Sequence, residues 1–375
     1  MAKRGPFRSR DGSSVATVHL GPATLGCVIA FALVAGRVAT AAPGDLGDAY
    51  IAHFWGPSIE QYDPQTQQHE HSYFGAIGGD QGGAVHWLHR SDKLLMTHMT
   101  TDKVHWSNPD GTRAGIAVRR PHVDGPMDAA LGPHGRLLVA NRASRSVSAH
   151  VWNHRAVDPA VSSTLIGDWR VPTRGYPLAL LECDGHAGLG ASCPGAVDVL
   201  VAVQGSSRDI LGLDVDTGSW TIIVQDLFWE DGPLDMAWHP TRSDRVLVGT
   251  RFNGLRELDL DTGVLLTLVN GTDVFGKVGD GGSGKDIGAV EGVAVNPWQG
   301  PDGTIILSDR CDGCLAQNRL MNFDPNGTFL GEYAIGDFSG DLAVRLPEPG
   351  ATIWFAAALV LAMRQRRPWH ARVVQ

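Results

Sequence analysis

The chain has 375 residues, 43% of them hydrophobic and 19% charged, which is enough apolar matter for a substantial core and excludes a globally disordered protein. Forty-seven glycines suit many tight turns rather than long helices. Residues 1–41 carry five Lys/Arg and one Asp, and 347–375 four Arg and one Glu, which leaves 22 basic against 38 acidic residues between them, a net charge of −16. A body this acidic repels phosphate backbones, which argues against nucleic acid and favours cations or neutral glycans.

The first residues, MAKRGPFRSRDG, are basic. An apolar run from Leu25 to Gly36 follows, and then small residues from Ala39 to Ala42. This order predicts a secretory signal peptide over 1–41, too short in its apolar part for a membrane span. Cys27 lies at the start of that run, whereas a lipoprotein cysteine would lie at its end.

From Gly47 onward one phrase recurs: a turn, an apolar strand ending in a polar residue, a loop, a second strand and an Asp-rich turn. It reads GDAYIAHFWGPSIEQYDPQT from Gly47, DKLLMTHMTTDKVHWSNPDG from Asp92 and GRLLVANRASRSVSAHVW from Gly135. It returns as DVLVAVQGSSRDILGLDVDTG from Asp198, DRVLVGTRFNGLRELDLDTG from Asp244 and GTIILSDRCDGCLAQNRLMNFDPNG from Gly303. An inner-strand phrase precedes several copies, as in Gly125–Leu131, Gly232–Trp238 and Val290–Val295, with the period-two alternation of strands. Anchors Ile51, Leu95, Val139, Val201, Val248 and Leu307 stand 44, 44, 62, 47 and 59 residues apart. That is blade spacing with two insertions, so 42–346 is expected to be an all-β, six-bladed β-propeller. The first copy lacks an inner strand, which Phe338–Leu346 is placed to supply from the other end of the chain. The Asp-x-x-Thr-Gly sequences at Asp214 and Asp259 predict hairpin turns in which Asp caps the backbone and Gly takes positive φ.

Once the signal is removed, Cys183, Cys193, Cys311 and Cys314 remain. Two local disulfides are the simplest pairing in an oxidising compartment, and a zinc or redox role for Cys311–Cys314 is the sharper alternative. Gly279–Asp286 nearly matches a phosphate-binding loop, but Asp stands where Ser or Thr would bind Mg²⁺ and a strand follows it, so that role is rejected. His69 and His71 would share one strand face, a metal pair or an exposed outer strand. No G-x-S-x-G or H-E-x-x-H motif occurs.

The segment from Val278 to Arg310, VGDGGSGKDIGAVEGVAVNPWQGPDGTIILSDR, resembles an NHL-type repeat in its GDGG loop, EGVAV strand and final I-x-x-x-D strand. The aligned repeats place His53, His98, Asn141, Gln204, Thr250 and Asp309 at the ends of the second strands, and Asp128 and Asp235 on inner strands with Glu291 one position away. Gluconolactonase-like propellers hold a metal with a Glu/Asn/Asp set. Converging on the axis, Asp128, Asn141, Asp235, Glu291 and Asp309 are candidate ligands for Ca²⁺ or a transition metal, a set similar to that of the gluconolactonase-like propellers. The alternative is that each polar group bonds the backbone of a neighbouring blade and closes the ring.

At the far end, Pro347-Glu348-Pro349 precedes an apolar stretch from Ala351 to Met363 and then Arg364, Arg366 and Arg367. This resembles a PEP-CTERM sorting tail over 347–375, with an apolar sorting helix that anchors the chain transiently in the inner membrane. The resemblance implies the secretion machinery and an exosortase-type transpeptidase as partners. It also implies export to the periplasm, outer envelope or extracellular matrix. Two function classes follow: a recognition or scaffolding propeller for polysaccharide or protein ligands, or a metal-dependent lactonase or esterase working in the channel. A lyase with a histidine base is a third.

Overall fold

The second strand of each repeat is apolar at nearly every position, because a blade in a propeller packs on both of its faces. A computed structural model describes residues 47–52, 58–63, 68–74, 82–88, 91–112, 115–153, 163–183, 193–225, 232–251, 254–269, 289–297, 299–300, 302–310, 318–336 and 340–345. These form six four-stranded antiparallel sheets. Blade 1 is β1 (Ala49–Ala52), β2 (Ser58–Asp63) and β3 (Gln68–Phe74), completed by β24 (Leu342–Val344). Blade 2 is β4 (Gly82–Leu88), β5 (Lys93–His98), β6 (Lys103–Ser107) and β7 (Gly115–Arg119), and blade 3 is β8 (Pro126–Leu131), β9 (Arg136–Asn141), β10 (Ser146–Val151) and β11 (Thr164–Arg170). Blade 4 is β12 (Gly175–Glu182), β13 (Val199–Gly205), β14 (Ile210–Asp214) and β15 (Ser219–Val224). Blade 5 is β16 (Pro233–Trp238), β17 (Arg245–Thr250), β18 (Leu255–Asp259) and β19 (Leu265–Val269). Blade 6 is β20 (Ala289–Asn296), β21 (Thr304–Arg310), β22 (Asn318–Phe323) and β23 (Phe329–Gly336).

Period two assigns each side chain to one of two neighbours. On β13, Val199, Val201 and Val203 pack toward blade 3, while Leu200 and Ala202 pack toward blade 5. On β9, Leu138 and Ala140 face blade 4, and Leu137 and Val139 face blade 2. Six such clusters fill the six junctions between blades, the last joining blade 1 to blade 2 through Tyr50, Ala52, Trp87 and Ala343. A one-residue register slip would exchange the two sets, so the alternation fixes register in every blade.

The expected turns are present. Asp214 accepts the N–H groups of Asp216 and Thr217 at 2.9 Å, Asp259 those of Asp261 and Thr262 at 3.0 Å, and Gly218 and Gly263 have φ of 73° and 68°. Cys183 and Cys193 form a disulfide across the connection between β12 and β13. Closing a loop of that size stabilises the fold by about 3 kcal/mol in the chain-entropy account. Cys311 and Cys314 lie outside the described residues, as do 1–46, the GDGG loop and the tail beyond Arg345. No helix among the described residues is long and apolar enough to cross a membrane.

Closure uses the two ends of the body. β24 pairs with β1 as Ala49 to Val344, Tyr50 to Ala343 and Ile51 to Leu342. The pairing is extended by Gly47 N–H to Arg345 O (2.8 Å) and Arg345 N–H to Asp48 O (2.9 Å). Arg345 then crosses to blade 2, where its Nε and Nη2 donate to the two oxygens of Asp92 at 3.1 and 2.6 Å over the face of Trp87. Truncation before Phe338 removes β24 and exposes the buried β1. It should lower stability by several kcal/mol, a large part of the roughly 5–15 kcal/mol that holds a domain. Truncation after Leu346 should leave the denaturation midpoint nearly unchanged. Equal midpoints for the two truncations would contradict the closure.

Candidate functional site in the central channel

An inner strand pairs with its second strand along one edge and turns the other edge to the axis, where N–H groups have no ladder partner. A buried N–H left unsatisfied is expensive, so these groups need acceptors. Three aspartates supply them. Asp128 on blade 3 accepts Ala129 N–H through Oδ1 and, from blade 4, Leu180 N–H through Oδ2, both at 2.7 Å. Asp235 on blade 5 accepts Met236 N–H at 2.7 Å and Val293 N–H of blade 6 at 2.6 Å. Asp341, just before β24 in blade 1, accepts Val85 N–H of blade 2 at 2.9 Å and the N–H of its own neighbour Leu342. Three carboxylates thus serve one N–H in each of the six inner strands and tie the blades in pairs.

β-bulges set the aim of these side chains. Register shifts fall between Pro126 and Asp128, Pro177 and Ala179, Pro233 and Asp235, and Val290 and Gly292. The residue after the bulge is therefore Asp in blades 3 and 5 but Ala179 and Gly292 in blades 4 and 6. At Gly292 a Cβ would come within 2.7 Å of Gly340 O, beside Asp341, so a side chain there would displace the segment that carries the third carboxylate.

The channel holds a cavity of about 120 Å³, whose lining includes His86, Trp87, Glu182, Trp238 and the three aspartates. His86 Nε2 lies 3.4 Å from Glu182 Oε1, a pair that reaches from blade 2 to blade 4, and Glu182 also accepts Leu131 N–H of blade 3. Burial raises the carboxyls of Asp128 and Asp341 above the usual range and pushes Asp235 up to about 7; repulsion from Asp128 adds to this at Asp235 and at Asp341, where Asp235 also repels, while at Asp128 the charge of His86 pulls downward against Glu182. A hydrogen bond between the Asp235 and Asp341 side chains works the other way on Asp235. Burial opposes the charge on His86, but the Glu182, Asp128 and Asp235 carboxylates outweigh it and raise its pKa.

Of the sequence-derived ligand set, Asp128 and Asp235 line the channel; Asn141, Glu291 and Asp309 are held elsewhere. Asn141 donates to Ser148 Oγ at 2.9 Å and accepts Asp124 N–H, Asp309 accepts from Arg319 Nε at 2.9 Å, and Glu291 occupies the bulge and meets Arg310 at 3.1 Å. Thr250 donates to Gly254 O, Gln204 accepts from Tyr176 Oη, and His98 stacks edge-on against His105, each within its own blade. Second strands are flanked on both edges, so their side chains leave toward neighbouring blades rather than the axis. His53 and the His71 side chain lie outside the described residues; His69 is exposed and bonds Glu60 at 2.6 Å.

Calcium takes six to eight oxygens at about 2.3–2.6 Å. Both oxygens of Asp128 and of Asp235 already face backbone donors. Among the described residues the acidic group whose oxygens converge within 4.8 Å is Asp244, Asp259 and Asp261, outside the channel. The channel set therefore does not fit a calcium ion. Asp341 was missed by sequence reasoning although its signal was present: Asp341-Leu342-Ala343 repeats the Asp-apolar-Ala of Asp128-Ala129-Ala130 and Asp235-Met236-Ala237. His86 and Glu182 carry no such signal.

Asp235 holds a proton in the folded state that the unfolded chain releases near pH 4. Its contribution is therefore largest in acid and is lost as pH rises from about 4 to about 7. His150, which burial lowers to about 4, gains stability over part of the same range but is common to both proteins compared. Between pH 5 and pH 8 the wild type should lose on the order of 2–4 kcal/mol more stability than Asp235→Asn in urea denaturation. Parallel pH profiles would rule this out.

No family model and no curated protein matches the chain. Solved structures do. The crystal structure of a nidogen/laminin complex aligns at TM-score 0.56 with 10% identity, over 80% of this chain and 99% of that one. A protein of unknown function from Bacteroides caccae aligns at TM-score 0.56 with 12% identity, over 80% and 98%. At such identities the likeness concerns the fold alone, and that fold is a six-bladed β-propeller.

Proposed function

We propose that this protein is an exported propeller that recognises or scaffolds partners in the envelope or extracellular matrix. The observation that carries this reading is the engagement of the channel carboxylates with the inner strands. Groups that would hold a metal in a hydrolase serve here as acceptors for the backbone. That leaves the faces of the ring, which are larger and exposed, for binding. The Cys183–Cys193 disulfide supports an oxidising destination. The NHL-like segment at 278–310 and the PEP-CTERM-like tail at 347–375 fit the same reading. The tail would anchor the chain in the inner membrane until an exosortase-type transpeptidase releases it. Because the closing strand ends at Val344 and Arg345 follows it directly, processing beyond Pro347 would leave the ring complete.

The test separates a structural from a catalytic channel. Asp128→Ala removes the acceptor of two buried N–H groups and should lower stability by about 2–5 kcal/mol. Lactone hydrolysis by the full chain should stay at background with or without added calcium or manganese. Metal-dependent turnover that Asp128→Ala abolishes at unchanged stability would overturn the proposal in favour of a lactonase or esterase.

A further inference from the structure

The net charge conceals a strong polarity. In an antiparallel blade the inner-to-second and third-to-outer connections open on one face of the ring, and the second-to-third and outer-to-next-inner connections on the other. The first face carries the Asp-rich turns at Asp110, Asp214, Asp259 and Asp324, and among the described residues its arginines are paired: Arg136 with Asp216, Arg242 with Glu257, Arg245 with Asp259 and Arg345 with Asp92. The second face is different. Over blades 2 to 4 it presents Arg119, Arg142, Arg145, Arg170 and Arg174, all exposed. Among the described residues no carboxylate partners any of these five.

These arginines form one tract. Arg119 ends β7; the connection that follows lies against the β9–β10 turn, where Arg142 N–H donates to Gly125 O (2.9 Å) and Ala143 N–H to Asp124 O (3.2 Å). Arg145 sits beside Arg170, since Ser146 pairs with Arg170 and Val171 N–H donates to Arg145 O. Arg174 follows in the β11–β12 connection, and the guanidinium of Arg142 stacks over Tyr176 at 4.9 Å, just beyond it. Among the described residues, Asp102 and Asp124 are taken by Arg120, and Asp168 is exposed on β11 beside Arg170.

We infer that this tract is a docking surface for an acidic polysaccharide bearing carboxylate groups, an assignment that rests on the recognition reading and names its ligand class. Guanidinium forks match planar carboxylates through paired hydrogen bonds, which point-charge lysines do not. A row spread over three blades suits an extended polymer better than a small ion. Tyr176, half-buried beneath the Arg142 guanidinium, holds that arginine in the row. Duplex nucleic acid, with a charge about every 1.7 Å against one carboxylate per sugar in an acidic polysaccharide, meets more repulsion from the acidic remainder of the body.

The experiment uses the full chain with polygalacturonate as probe, beside neutral dextran, dextran sulfate and single-stranded DNA. Polygalacturonate should bind, weaken as salt is raised, and lose about tenfold or more in affinity in the triple variant Arg145→Ser, Arg170→Ser, Arg174→Ser. These side chains have no partners among the described residues, so the thermal midpoint of the variant should match wild type. Asp302→Asn on the opposite face should bind as wild type does. The assignment fails if polygalacturonate does not bind, if dextran binds equally, if DNA or dextran sulfate binds more tightly, or if the triple variant is unaffected. Those failures leave the recognition reading to be judged by the lactone assay, which does not involve this face.

Discussion

Everything in this ring depends on how six sheets can present their inner edges to one axis without leaving backbone donors bare. A sheet edge elsewhere can face water or be covered by a neighbour. At the axis of a propeller neither is available to every strand. Carboxylates on alternate blades answer the problem, because an aspartate has two oxygens and so can accept one N–H from its own strand and one from the next. Asp128, Asp235 and Asp341 do this with near-threefold regularity. The arrangement carries its own tension, since three buried carboxyls close to one another resist ionisation.

The blades were legible because their physics is local. Alternating apolar residues, Asp-capped turns and a spacing near 44 residues each report on one hairpin at a time, and all of these features hold in the structure. The return of the last strand to blade 1 was also readable, since the first repeat visibly lacked a partner for Tyr50 and Ile51. The axial site was legible only in part. Asp128 and Asp235 stood out by their repeated phrase, but alignment gave no way to separate an inner strand that borders the axis from a second strand enclosed on both edges. Asn141 and Asp309 therefore looked equivalent to the channel aspartates although they serve their own blades. Glu291 was displaced by a bulge, an insertion of one residue that repeat spacing does not reveal. His86 and Glu182 come together only because blades 2 and 4 converge over the end of β8.

Charge shows the same gap between composition and arrangement. A net of −16 for the middle of the chain argues against anionic ligands when it is treated as a uniform surface. Antiparallel topology sorts the turns instead, placing Asp-rich hairpins on one face and arginine-bearing connections on the other. Net charge governs attraction at long range, and local polarity governs what is held once contact is made.

The pairing of Ala49 with Val344 joins residues about 300 positions apart, among the costliest contacts a chain can postpone. For a polypeptide that crosses a membrane with its amino end leading, the first blade emerges early and then waits, with an open edge at β1, until nearly the whole body has followed. Its completing strand arrives immediately ahead of the segment that would be held in the bilayer. On the proposed export route, such a chain would finish folding while still tethered, and the interval before release would be an interval for ring closure. Tethering in that interval limits encounters between open edges of different chains, which is the hazard that a late-closing sheet otherwise carries.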